Sequence, residues 1–159
     1  MSAPQGGEAH PPTHVGGYWL SAQFASRLTK AVETYLHEDE RLKVCLPSTG
    51  SPDFRRAHKR SIGRFATVPI VITNRRVLFF GVQRGELALI DEHSRENVDV
   101  VKYRTHRWRG GEDYVDWFVL RIGDQTMKFT FSDRWTDRGA MAVRALGYRG
   151  PTHHGWEGH

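Results

Sequence analysis

The sequence predicts an α+β fold, a partly open barrel of about seven short antiparallel strands with a helix at each end. Three observations predict it. Short apolar or alternating segments recur from residue 42 to residue 131. Turn-forming Asn, Asp and Gly residues separate them at hairpin spacing. Helical periodicity is confined to the two flanks. Runs of strands followed by a terminal helix favour segregated α+β layers over alternating β and α units.

The first helix follows Ser21, a good N-cap. Phe24, Leu28, Ala31, Val32 and Tyr35 fall on one helical face. The acidic run Glu38-Asp39-Glu40 ends it. Leu42, Val44 and Leu46 then alternate with Arg41, Lys43 and Cys45, the pattern of a half-buried strand. A Pro- and Gly-containing loop, 47–52, runs into a basic stretch. Residues 65–73 read as a strand with Val68, Ile70 and Ile72 on one face. Pro69 lacks an N–H, so this strand is expected at an edge or at a bulge. Asn74-Arg75 makes a two-residue turn into a strand over 76–82. Strands follow at 87–91 and 98–106, separated by the polar piece 92–97. The last hairpin pairs 115–122 with 125–131 across Gly123-Asp124. Ser132 or Asp133 caps a final helix with Trp135, Gly139, Ala142, Val143 and Leu146 on its apolar stripe, and Gly147 stops it. Trp117 and Trp135 are both expected near the core.

The chain has 159 residues, enough for one domain with tails. Residues 1–17 and 149–159 are rich in Gly, Pro and His without periodicity, so they read as a disordered leader and a flexible tail around a domain over 18–148. No secretory signal and no membrane-spanning apolar run is present. A single cysteine supports no disulfide framework and points to a reducing cytoplasm.

Charge is distributed unevenly. Residues 54–85 contain eight Arg or Lys and no acid, while the whole chain carries a formal +5. The rest of the chain is therefore net acidic, and the positive field is local.

The segment Val71-Ile72-Thr73-Asn74-Arg75-Arg76-Val77-Leu78-Phe79-Phe80 resembles the central hairpin of bacterial pleckstrin-homology-like and GRAM-like domains. The acidic lead-in Glu38-Asp39-Glu40-Arg41-Leu42-Lys43-Val44 and the ending Met127-Lys128-Phe129-Thr130-Phe131 with its closing helix extend the resemblance over roughly residues 38–147. The long basic loop at 48–64 and Pro69 depart from the pattern. The resemblance implies a seven-stranded, partly open barrel capped by the C-terminal helix, with the helix before residue 38 as an addition. It also implies a non-enzymatic binding module for lipids, peptides or proteins.

The expected site is the basic loop: Arg55, Arg56, Lys59, Arg60 and Arg64. In the resembling domains the loop between the first two strands often holds anionic headgroups. Each such charge near an anionic membrane contributes roughly 1 kcal/mol, so five give about 5 kcal/mol, a millimolar-range attraction. The expected partners are an anionic lipid at the inner face of the membrane or an acidic protein surface; the competing account is a plainly solvated loop. Nucleic acid is the alternative, because Arg104, His106, Arg107, Trp108 and Arg109 interleave an aromatic with positive charge. No RNP-like motif or basic recognition helix accompanies them. Self-association through an edge strand beside Pro69 is a third option. The Thr73-Asn74-Arg75-Arg76 turn reads as structural, its arginines keeping the hairpin end soluble and unpaired. No catalytic residues, cofactor or metal site are expected. The G-x-S-x-G frame, the phosphate loop and HExxH are all missing. Cys45 has no partner at ligand spacing, and the histidines cluster in the tails.

Overall fold

The computed structural model describes residues 13–14, 22–48, 51–58, 67–83, 85–106, 108 and 113–148. Its elements are β1 (Thr13–His14), α1 (Ala22–Glu33), β2 (Leu42–Leu46), α2 (Pro52–Ala57), β3 (Ile70–Thr73), β4 (Arg76–Gln83), β5 (Glu86–Ser94), β6 (Val98–Thr105), β7 (Val115–Ile122), β8 (Gln125–Thr130) and α3 (Thr136–Leu146). Single 3-10 turns, Arg95–Asn97 and Asp133–Trp135, precede β6 and α3.

The strands form two antiparallel sheets that do not close on each other. The first has the order β1-β5-β4-β3-β2 and the second β6-β7-β8. The α+β class, the seven main strands and the terminal helix agree with the sequence. Two residues of the expected leader, Thr13 and His14, pair with Leu87 and Glu86.

Asn74 and Arg75 form the turn between β3 and β4, as their spacing predicts. Gly85 and Gly123 take positive φ in the next hairpins, where a side chain would be strained. Pro69 corrects one expectation. β3 lies inside the sheet, between β2 and β4, and Pro69 stands just before its first residue, a strand start that tolerates the missing donor. Its carbonyl accepts from Phe80 N at 2.9 Å, and the β3–β4 register runs without a shift; the nearby irregularity, at Phe79/Phe80, belongs to the β4–β5 pairing. β5 is also longer than its apolar run. It continues through Asp91, Glu92, His93 and Ser94 because β4 pairs with it as far as Arg76↔Ser94.

The main core lies between the sheets. Ile70, Ile72, Val77 and Phe79 of the first meet Phe118, Leu120, Met127 and Phe129 of the second. Phe79 and Phe129 stack with centroids 5.6 Å apart, and Phe118 tilts against Phe129. α3 bridges the sheets by packing on β2, β3, β6 and β7, with Ala142, Val143 and Leu146 in the same core. Gly139 makes that approach close: a Cβ there would run into the Phe131 ring and lie 2.8 Å from the Val115 carbonyl oxygen.

A second apolar layer covers the opposite face of the first sheet. Phe24, Leu28, Ala31 and Val32 of α1 pack on Cys45, Val71, Leu78, Phe80 and Val82. Tyr35 closes the end of this layer edge-on to Phe80 and donates to the Leu87 carbonyl at 3.2 Å. Burial pushes the Cys45 thiol up to about 12, since a thiolate there would lose its hydration. All four residues of β3 are therefore buried, whereas β8 alternates between buried and exposed. Fully burying a Phe or Ile side chain contributes roughly 1.5–3 kcal/mol. That makes β3 and β4 the strands with most to lose from exposure.

Candidate functional site

The basic segment opens with a helix where a loop was expected. Ser51 caps α2, its Oγ accepting from Asp53 N at 3.2 Å and Phe54 N at 3.5 Å, and Pro52 occupies the first turn. Phe54 anchors the helix. It is fully buried and packs against Phe79, Phe129 and the His58 ring. Arg55 is half-buried, and Arg56 projects to solvent, where it pairs with Asp53 at 3.0 Å. Lys59, Arg60 and Arg64 lie outside the described residues. Two of the five expected site cations are thus on a short helix pinned to the core.

His58 ends that helix and ties it to β5. Its Nε2 lies 2.8 Å from Asp91 Oδ2, and His93 Nε2 meets the same oxygen at 2.9 Å. Burial alone would raise the Asp91 carboxyl, but the hydrogen bonds from His93 and His58 hold it below its ordinary value.

The Thr73-Asn74-Arg75-Arg76 turn is structural, as expected, but its arginines are engaged. Arg76 binds Glu40 in a forked pair, Nε to Oε2 at 2.9 Å and Nη2 to Oε1 at 2.6 Å. Thr73 Oγ1 donates to Glu40 Oε2 at 2.6 Å and His37 N to Oε1 at 3.0 Å. Arg75 pairs with Asp39, and Asn74 Oδ1 accepts from Arg41 N at 2.7 Å. The Glu40 side chain is wholly buried. The Arg76 hydrogen bond is the chief reason its carboxyl falls from 4.5 to about 2, against the opposing effect of burial. The acidic lead-in and the hairpin tip are the two halves of one clasp.

The outer face of the second sheet carries the other charge concentration. On this face Trp117 of β7 lies between Arg104 of β6 and Thr130 of β8, and Val119 between Lys102 and Lys128. Trp117 was expected near the core. It is half-buried and turned outward, with Lys128 Nζ 4.3 Å and Lys102 Nζ 5.7 Å from its ring centroid. Arg121 completes the row beside Asp99 at 3.7 Å. Trp108, 79% exposed, follows at the Arg104 end of the face. Arg107 and Arg109 lie outside the described residues. The expected basic–aromatic run over 104–109 is divided: Arg104 and Trp108 stay on the surface, while His106 turns inward and is buried.

α2 adjoins this face. A shallow cleft of about 460 Å³ has Asp53, Arg56 and Ala57 on one wall and Gln125, Thr126 and Met127 on the other. Thr126 and Lys128 are successive outward residues of β8. The surface therefore runs from Arg56 across Thr126 and Lys128 to Trp117.

Sequence reading missed one further cluster. His106 Nδ1 hydrogen-bonds Asp116 Oδ1, and Asp133 joins them, with one ligating atom of each within 4.8 Å of the others. The three residues stand at the end of β6, the start of β7 and the turn before α3. Their wide separation leaves no local spacing to read. The same holds for Trp117 and its lysines, which only strand register brings together.

Among the described residues no helix is long and apolar enough to cross a membrane. No family model matches the chain, and no curated protein matches it.

Proposed function

We propose that the chain is a non-enzymatic binding module of pleckstrin-homology-like type whose ligand is anionic. The observation that carries this reading is the solvent-facing Trp117 with Lys102 and Lys128 over its ring, and Arg104 beside it in register. Cations held over an indole on an open sheet face form a recognition surface for negative charge. Arg56 extends it across the α2 cleft. The centre of the site thus moves from the 55–64 segment to the second sheet, with α2 as its rim.

The non-catalytic part of the reading is supported by packing. Phe54, Phe79, Phe118 and Phe129 fill the space between the sheets, where a barrel enzyme would hold its substrate. The pleckstrin-homology-like part is supported by the order of elements: four main strands, then three, then a helix bridging both sheets.

Retention on immobilised heparin, a generic polyanion, tests the reading. The wild type should elute at higher salt than Lys102→Gln/Lys128→Gln, with Arg55→Gln/Arg56→Gln shifted less. Wild-type protein passing straight through at low salt would overturn it. So would equal retention of all three proteins.

A further inference from the structure

We infer that the outer face of the second sheet binds single-stranded nucleic acid, with a base stacked on Trp117 and phosphates held by Lys102, Arg104 and Lys128. This rests on the anionic-ligand reading and names the ligand class.

Charge complementarity is the first argument. Lys102, Arg104, Arg121 and Lys128 all stand on this face. The carboxylates of the same strands are engaged, Asp99 with Arg121 and Asp116 with His106. A polyanion laid across the strands meets cations on both sides of the indole.

The placement of the aromatics is the second argument. Trp117 sits on the central strand, with a cation-bearing strand on either side. Successive outward residues on a strand are about 7 Å apart, and neighbouring strands about 4.8 Å. A single strand crossing the sheet can therefore set a base on the indole while its flanking phosphates reach Lys102 and Lys128. Those ammonium groups already sit over the ring. Binding would move them from the indole to the phosphates and open the ring to the base, replacing two weak cation–π contacts with stacking and charge pairing. Trp108 offers a second, highly exposed ring. It is four residues beyond Arg104, so no more than about 14 Å of chain separates them.

A membrane fits this surface less well. Trp117, the ring that the lysines bracket, lies in the middle of a strand rather than at a protruding tip, and the long Lys and Arg side chains around it hold the sheet away from an acyl layer. Duplex DNA fits less well too, because a paired base offers no free face to an indole.

The experiment uses the full chain. Fluorescence anisotropy with labelled oligothymidylate and oligouridylate reads binding. A matched DNA duplex and phosphatidylcholine vesicles with about one-third phosphatidylserine are the comparators. With three phosphates contacted, affinity for a single strand should fall about 20-fold between roughly 50 and 200 mM salt. Trp117→Ala should weaken binding about tenfold or more, with Trp117→Phe largely restoring it. Lys102→Gln/Lys128→Gln, whose exposed side chains leave folding intact, should flatten the salt dependence by about two phosphates' worth.

Vesicle pelleting without oligonucleotide binding would overturn the inference and leave the anionic-ligand reading standing. Binding of neither would overturn both. Oligonucleotide binding that ignores Trp117→Ala and the lysine pair would overturn the assignment to this face, as would equal affinity for the duplex. A dimer by light scattering that dissociates on Trp117→Ala would show that a second copy occupies the face, and would overturn it too.

Discussion

The two sheets are built from the same kind of antiparallel hairpins, yet they meet opposite surroundings. The first has α1 on one side and the second sheet on the other, so β3 is buried at every residue. The second has the core on one side only, so β8 alternates. The difference teaches where each sheet keeps its charge. In the first, the charged groups are engaged with one another, Glu40 with Arg76 at the start of β4 and Asp91 with His58 and His93 along β5. In the second, the lysines lie in the middle of the strands and face solvent over Trp117. One sheet pairs its charge off, and the other displays it.

Breaking the covered sheet should have the largest effects. Phe79→Ala removes a fully buried ring that touches Phe54 and Phe129. It should cost about 3–5 kcal/mol in urea denaturation. Arg76→Ala strands the buried Glu40 carboxylate and should cost a comparable amount, roughly 3–5 kcal/mol. The same clasp gives the sheet an acid sensitivity. Glu40 ionises at about 2 in the fold against an ordinary 4.5. A depressed pKa means its contribution is complete above pH 4.5 and is lost as pH falls from 4.5 towards 2. The loss is on the order of 3 kcal/mol. Glu40→Gln should be less stable at neutral pH and should lose little more over that window. Equal acid sensitivity of wild type and variant would remove Glu40 from this account.

The seam between the sheets should respond at an intermediate level. Gly139→Ala drives a methyl into Phe131 and the Val115 backbone, and should cost about 1–3 kcal/mol. The smallest effect belongs to the open face. Lys102→Gln and Lys128→Gln should change stability by less than about 0.5 kcal/mol while altering polyanion retention. A large loss of stability from either would erase the contrast between the sheets.

The contrast also explains what the sequence made legible. Alternation survives where one face meets water, so β7 and β8 could be bounded almost to the residue from Phe118, Leu120, Met127 and Phe129. In β3 and β4 both faces are covered, and nearly continuous apolar character hides which residue faces α1 and which the second sheet. Val71 and Leu78 turn to α1, Ile72 and Val77 to the main core. Pro69 then pointed to an edge or a bulge, because nothing local reveals that β2 pairs on the far side of β3. α2 was hidden by its arginines, although Ser51-Pro52-Asp53 is a legible helix start; only the packing of Phe54 distinguishes that start from a turn. The candidate site was half legible. The basic and aromatic residues at 104 and 108 carried a signal. Lys102, Trp117 and Lys128 are joined by register across two hairpins, including a bulge between Val100 and Lys102.

Cys45 gives the covered sheet a chemical clock. It is the chain's one cysteine, sealed between β2 and α1, and its thiol stays protonated at neutral pH. An alkylating reagent therefore reacts only when α1 lifts or the whole domain opens. Its labelling rate in the native protein counts those openings directly, without an introduced probe.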